Sequence, residues 1–136
     1  MKALFIGGTG LISSAVSERA IQKGWELTLL NRGRRSQFVP EGARVIECDI
    51  RDEAALREKL GNERFDVVVE WIAFKPERVE RDVELFQGRC GQYILISSGA
   101  AYARPMRRYL IDESHPLNNR YWQYGRDKRM CEDVCM

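Results

Sequence analysis

Apolar positions along the chain follow two alternating patterns. Lys2 to Ile6 is a nearly continuous apolar run ending in glycine, as expected of a strand buried on both faces of a parallel sheet. From Leu11 to Lys23 the residues Leu11, Ile12, Ala15, Val16 and Ala20 recur at helical spacing, which predicts an amphipathic helix stopping at Gly24. Glu26 to Leu30 reads as the second strand, Arg44 to Glu47 as a short third, and about Asp52 to Leu60 as a helix. Phe65 to Ile72 is another buried strand. A helix opens at Pro76 and runs to about Gln87, and Gly88 to Gly91 breaks it before the strand Gln92 to Ile96. A last helix runs from about Tyr121 to the end of the chain. Strands alternating with helices predict an α/β fold with a parallel sheet and right-handed crossovers. Residues 99–120 carry Pro105, Pro116, Asn118 and Asn119 and read as a long functional loop, not a linker between domains.

The first strand and first helix meet at Gly7-Gly8-Thr9-Gly10-Leu11-Ile12-Ser13. A dinucleotide pyrophosphate is anionic and must approach the backbone closely, so its site needs a turn without side chains at the positive end of a helix. Gly7 and Gly10 supply that turn, and Ser13 stands where the fingerprint has its third small residue. A GxxGxxS string alone says little; its place between a strand and a helix makes it a Rossmann-type nucleotide site. An NAD site usually places an acidic side chain at the end of the second strand to accept from the ribose hydroxyls. Here Asn31-Arg32 occupies that position, with Arg34 and Arg35 following. Arginine there can bind a 2′-phosphate bidentately, so NADP is the expected cofactor, with NAD as the alternative.

Bulk properties narrow the picture further. The 136 residues suit one compact domain, and 44% apolar with 31% charged residues is the composition of a soluble globular protein. The longest apolar runs fall far short of a membrane span. The run after Met1-Lys2 stops at Gly7, too soon for a signal peptide, so a cytoplasmic location is expected. A net charge of +2 does not call for a polyanion partner. Cys48, Cys90, Cys131 and Cys135 form no CxxC pair, and His115 is the single histidine, so no metal site is expected. The thiols read as reduced, with Cys131 and Cys135 as small packing residues of the last helix.

That helix also carries Tyr124 and Lys128, one turn apart on one face, and Ser97-Ser98 precedes it at the carboxyl end of the fifth strand. A tyrosine beside an ammonium can exchange a proton with a substrate hydroxyl while hydride moves to or from a nicotinamide. Together with the glycine turn, these residues resemble the short-chain dehydrogenase/reductase superfamily, in its extended NAD-dependent epimerase/dehydratase branch. Cys48-Asp49-Ile50 is similar to that branch's adenine-contacting segment, Trp71-Ile72-Ala73 to its fourth-strand exit beside the cofactor, and Ile96-Ser97-Ser98 to its catalytic serine segment.

The resemblance implies a doubly wound Rossmann-like sheet and a cofactor site drawn from Gly7, Thr9, Gly10, Leu11, Ile12, Asn31, Arg32, Arg35, Asp49, Ile50, Ile72, Ala73 and Lys128. It implies Tyr124 as general acid/base, Lys128 on the nicotinamide ribose and favouring the Tyr phenolate, and Ser98 holding the substrate oxygen. Gly99 stands where the branch often has its catalytic hydroxyl, which leaves Ser98 as the candidate. Family members continue past this helix into a sixth strand and a substrate lobe. Residues 1–136 are therefore expected to be an incomplete NAD(P)-binding domain, truncated after the fifth strand and the Tyr-Lys helix. The implied partners are a small-molecule substrate such as a nucleotide sugar, and a second copy through helix 76–87 and the Tyr121 helix. Membranes and nucleic acid are not expected partners. Two other readings stay open: a non-catalytic dinucleotide or redox-sensing module, and an RNA-binding relative, since the Asn31-Arg32-Gly33 turn is also similar to a chloroplast RNA-binding branch.

Overall fold

A computed structural model describes residues 1–106 and 108–136. Five strands, β1 (Lys2–Ile6), β2 (Glu26–Asn31), β3 (Arg44–Glu47), β4 (Phe65–Glu70) and β5 (Cys90–Leu95), form one sheet in the order β3-β2-β1-β4-β5. The sheet is parallel and Rossmann-like, with Leu4 opposite Thr28 on one side and Val68 on the other. Four helices, α1 (Leu11–Gln22), α2 (Glu53–Leu60), α3 (Pro76–Phe86) and α4 (Gln123–Cys135), connect or follow the strands. The strand order reverses between β1 and β4, and ligands of open α/β sheets bind outside the carboxyl ends at such a reversal. Among the described residues no helix is long and apolar enough to cross a membrane.

The chain divides into two compact units. The first comprises residues 1–72 and 85–94. Its centre is β1, where Ala3 through Ile6 are at most 1% exposed, flanked by the mostly buried β2 and β4. Leu56 and Leu60 of α2, one turn apart, complete this core with Phe65, Leu85 and Phe86. Asp52 starts α2 by accepting the Ala55 amide at 3.1 Å, and Gly61 ends it with φ +49°. The second unit comprises residues 73–84 and 95–136. It holds the start of α3, a 3₁₀ turn at Gly99–Ala101, the long loop and α4.

Two expectations from the hydrophobic pattern need correction. The buried face of α1 is Ser13, Ser17 and Ala20, whereas Leu11 and Ile12 are 92% and 71% exposed. Small residues let this helix approach its own glycine turn, which a stripe of large side chains would hold away. The glycine break before the fifth strand is also shorter than expected, since β5 begins at Cys90 and contains Gly91. A side chain on Gly91 would come within 2.9 Å of the Asp66 carbonyl oxygen, so this glycine serves close strand approach within the sheet.

Candidate functional site

In the first unit, β1 leads into a left-handed turn. Gly7 has φ +103° and Gly8 φ +85°, conformations that residues with a Cβ rarely adopt. Space is lacking as well. A Cβ on Gly7 would stand 3.1 Å from Ile72 Cγ2, and one on Gly8 2.6 Å from Leu29 Cδ2. Gly10 has an ordinary extended backbone, φ −83°. The first helical amide to find a partner is that of Ser14, which donates to the Gly10 carbonyl at 3.0 Å. The amides of Leu11, Ile12 and Ser13 thus precede the helical ladder, at the positive end of the helix dipole. Thr9 is buried within this turn.

At the end of β2, Asn31 Oδ1 accepts the Gly33 amide at 2.8 Å, while its Nδ2 is buried with no hydrogen-bond partner among the described residues. Arg32, Arg34 and Arg35 are exposed, and the Arg35 guanidinium lies 4.9 Å from the centre of the Phe38 ring. The Glu47 carboxylate packs against Gly33, 2.6 Å from the place a Cβ would take. Asp49 is gripped by Arg51 through two guanidinium bonds, of 2.7 and 3.1 Å, and through the Arg51 amide at 2.9 Å. Those bonds hold its carboxyl well below the usual carboxylate range, and the charge of Arg32 adds to the effect. Arg51→Ala is expected to return the Asp49 titration towards ordinary values, as read from its carboxyl carbon shift; an unmoved titration would clear Arg51 as the cause. Ile50 packs against the hydrophobic core.

Glu70 escaped the sequence reading. It ends β4 opposite Ile6, is fully buried, and accepts the Ile72 amide at 2.5 Å, which fixes the turn walling Gly7. Its signal was a carboxylate inside the otherwise apolar run Val67 to Ile72.

In the second unit, α4 turns Gly125, Lys128 and Cys131 inward at every third position. Lys128 is 2% exposed, and its Nζ donates to the carbonyls of Ala73 at 3.0 Å and Ile96 at 2.6 Å. Tyr124 is half-buried, its ring 6.1 Å from that of Phe74 and 5.0 Å from that of Trp122. Ser98 Oγ accepts the Ala100 amide at 3.2 Å, leaving its own proton for another acceptor. Ser97 donates to the Glu132 carboxylate. Ser97, Ser98 and Gly99 line an open pocket of about 440 Å³ with Tyr102, Glu113, Leu117 and Glu132. His115 is buried edge-on to Tyr102, with ring centres 5.8 Å apart. Burial raises the Cys131 thiol to about 11, as suits a packing residue.

The sequence profile of the NAD dependent epimerase/dehydratase family matches residues 3–136. The chain belongs to that family. A UDP-glucose 4-epimerase of Lactobacillus helveticus is 27% identical across 98% of this chain and 46% of its own length. Among solved structures, the UDP-Glc/GlcNAc 4-epimerase of Campylobacter jejuni superposes with a TM-score of 0.83 at 22% identity, over 98% of this chain and 47% of that one. The UDP-glucose 4-epimerase of Bifidobacterium longum, solved with NAD⁺ and UDP, gives 0.76 at 20% identity, over 98% of this chain and 48% of that one. The chain therefore spans about half the length of the epimerases it matches. In this member of the epimerase/dehydratase family, Ser13 takes the place of the third glycine and Arg32 stands where an acidic ribose contact is usual.

Proposed function

We propose that the first unit binds an NAD(P) dinucleotide and that the second carries the acid/base group of an epimerase/dehydratase-type reaction on a nucleotide sugar. The observation that carries this reading is the Gly7-Gly8 turn, two left-handed glycines packed too tightly for side chains and opening onto helical amides. The residues present fit such a ligand, because Asn31 Nδ2 is a buried donor lacking an acceptor among the described residues, and a ribose hydroxyl or phosphate oxygen would supply one. A bound dinucleotide supplies the hydride acceptor and donor. Tyr124 Oη then exchanges a proton with the substrate hydroxyl, and the Ser98 proton orients the same oxygen. Lys128, buried and cationic, stabilises negative charge developing on the phenol one turn earlier. The nucleotide-sugar assignment draws on the UDP-sugar epimerases among the relatives.

For the cofactor we favour NADP(H), with Arg32 as the 2′-phosphate ligand and Arg35 as a second donor. Glu47 supports a second reading, since its carboxylate beside Gly33 can accept from the ribose hydroxyls of NAD(H). Titration by fluorescence or heat separates them. On the first reading NADPH binds at least about tenfold more tightly than NADH, a difference of about 1.4 kcal/mol, and Arg32→Ala removes the preference. Tighter NADH binding that Glu47→Ala weakens would establish the second. No signal from either cofactor at high micromolar concentration would overturn the dinucleotide reading itself.

A further inference from the structure

Two buried serines one helical turn apart hold the ends of the glycine turn. Ser13 is 4% exposed and its Oγ accepts the Gly10 amide at 2.8 Å; Ser17 is fully buried and its Oγ donates to the Gly8 carbonyl at 2.9 Å. Both lie on the inward face of α1, which therefore carries hydroxyls where the hydrophobic pattern led one to expect an apolar stripe. We propose that Ser13 and Ser17 are positioning residues that lock the peptides flanking Thr9 in the pyrophosphate-binding orientation; this rests on the dinucleotide reading above.

The physical case has three steps. Gly8, with φ +85°, has the conformational freedom to let its peptide flip, and a buried carbonyl tied to Ser17 removes that freedom. The Gly10 amide is already taken by Ser13, so the donors left for a phosphate are those of Leu11, Ile12 and Ser13, which have no partner within the helix. A turn already set in its bound shape loses less conformational entropy on binding, so the gain appears as affinity for the anion. Where Ser13 is glycine, this tie to Gly10 is missing and the turn keeps that freedom.

The test uses Ser13→Ala and Ser17→Ala. Alanine fits either site and favours the helix, so loss of fold is not the expected outcome, and thermal melting verifies this. With wild type as reference, each variant should bind NADP⁺ about tenfold more weakly. Binding of adenosine 2′-monophosphate, which lacks the pyrophosphate, should change by less than about twofold. In the ligand-free protein, exchange of the Gly10 amide should quicken at least about tenfold in Ser13→Ala, a readout independent of any cofactor. Equal losses for both ligands, unchanged NADP⁺ affinity, or unchanged Gly10 exchange would each overturn the proposal. If the wild-type chain binds neither NADP⁺ nor NAD⁺, the dinucleotide reading fails, and accelerated Gly10 exchange then identifies the serines as purely structural.

Discussion

Tyr124→Phe is expected to lower turnover of a nucleotide sugar by about 10²–10⁴-fold, the usual contribution of a positioned acid/base group. The substitution keeps the ring and its contacts with Phe74 and Trp122 and removes the hydroxyl alone. Dinucleotide affinity should therefore stay within about twofold and the melting temperature within about 1 °C, since the half-buried residue loses its hydroxyl and none of its ring packing. Measured in the full chain, turnover that survives the change would exclude Tyr124 as the proton carrier. A wild-type protein that binds the dinucleotide tightly and turns over no sugar would instead support a binding or redox-sensing module.

One residue further along, Gly125→Ala should leave no comparable room for accommodation. In an exposed helix interior this change stabilises by roughly 0.5–1 kcal/mol, because alanine is the better helix former. Here the added Cβ would overlap the Ala100 carbonyl oxygen and lie 3.2 Å from Asn119 Cβ. That oxygen already accepts Asn119 Nδ2 at 2.8 Å, so it cannot turn aside without breaking a partly buried bond. Steric overlap with backbone outweighs propensity, and a net loss of about 3 kcal/mol, roughly 10 °C in Tm, is expected. Thermal unfolding decides the sign directly: a rise in Tm would mean that α4 does not sit on this carbonyl.

The strands were the most legible part of the chain, because a strand buried on both faces leaves an uninterrupted apolar run. Lys2–Ile6 falls where that pattern puts it, whereas Arg44–Glu47 keeps its expected bounds with Ile46 alone buried. Helix α1 shows where pattern reading fails. Its periodicity is real, yet Leu11, Ile12 and Val16 are exposed while Ser13 and Ser17 face in beside Ala20, because the contact with the glycine turn demands small hydrogen-bonding side chains. In the turn itself, the motif drew attention to Gly7 and Gly10, whereas the backbone requires glycine at Gly7 and Gly8. Spacing alone does not reveal which glycine carries a positive φ. The setting of Lys128 was not legible: nothing in its sequence neighbourhood announces a cation buried between two carbonyls 23 residues apart, at positions 73 and 96.

That burial has a further consequence. Ala73 and Ile96 are where the chain has left β4 and β5, beyond the last rungs of their ladders. A single ammonium pins both exits to α4, so it serves as a keystone as well as a charge. On the function proposed above, a second unit in which those exits have not formed would carry Tyr124 without a fixed ammonium one turn further along. The two hydrogen bonds that hold this part of the second unit together thus also hold its buried charge in place.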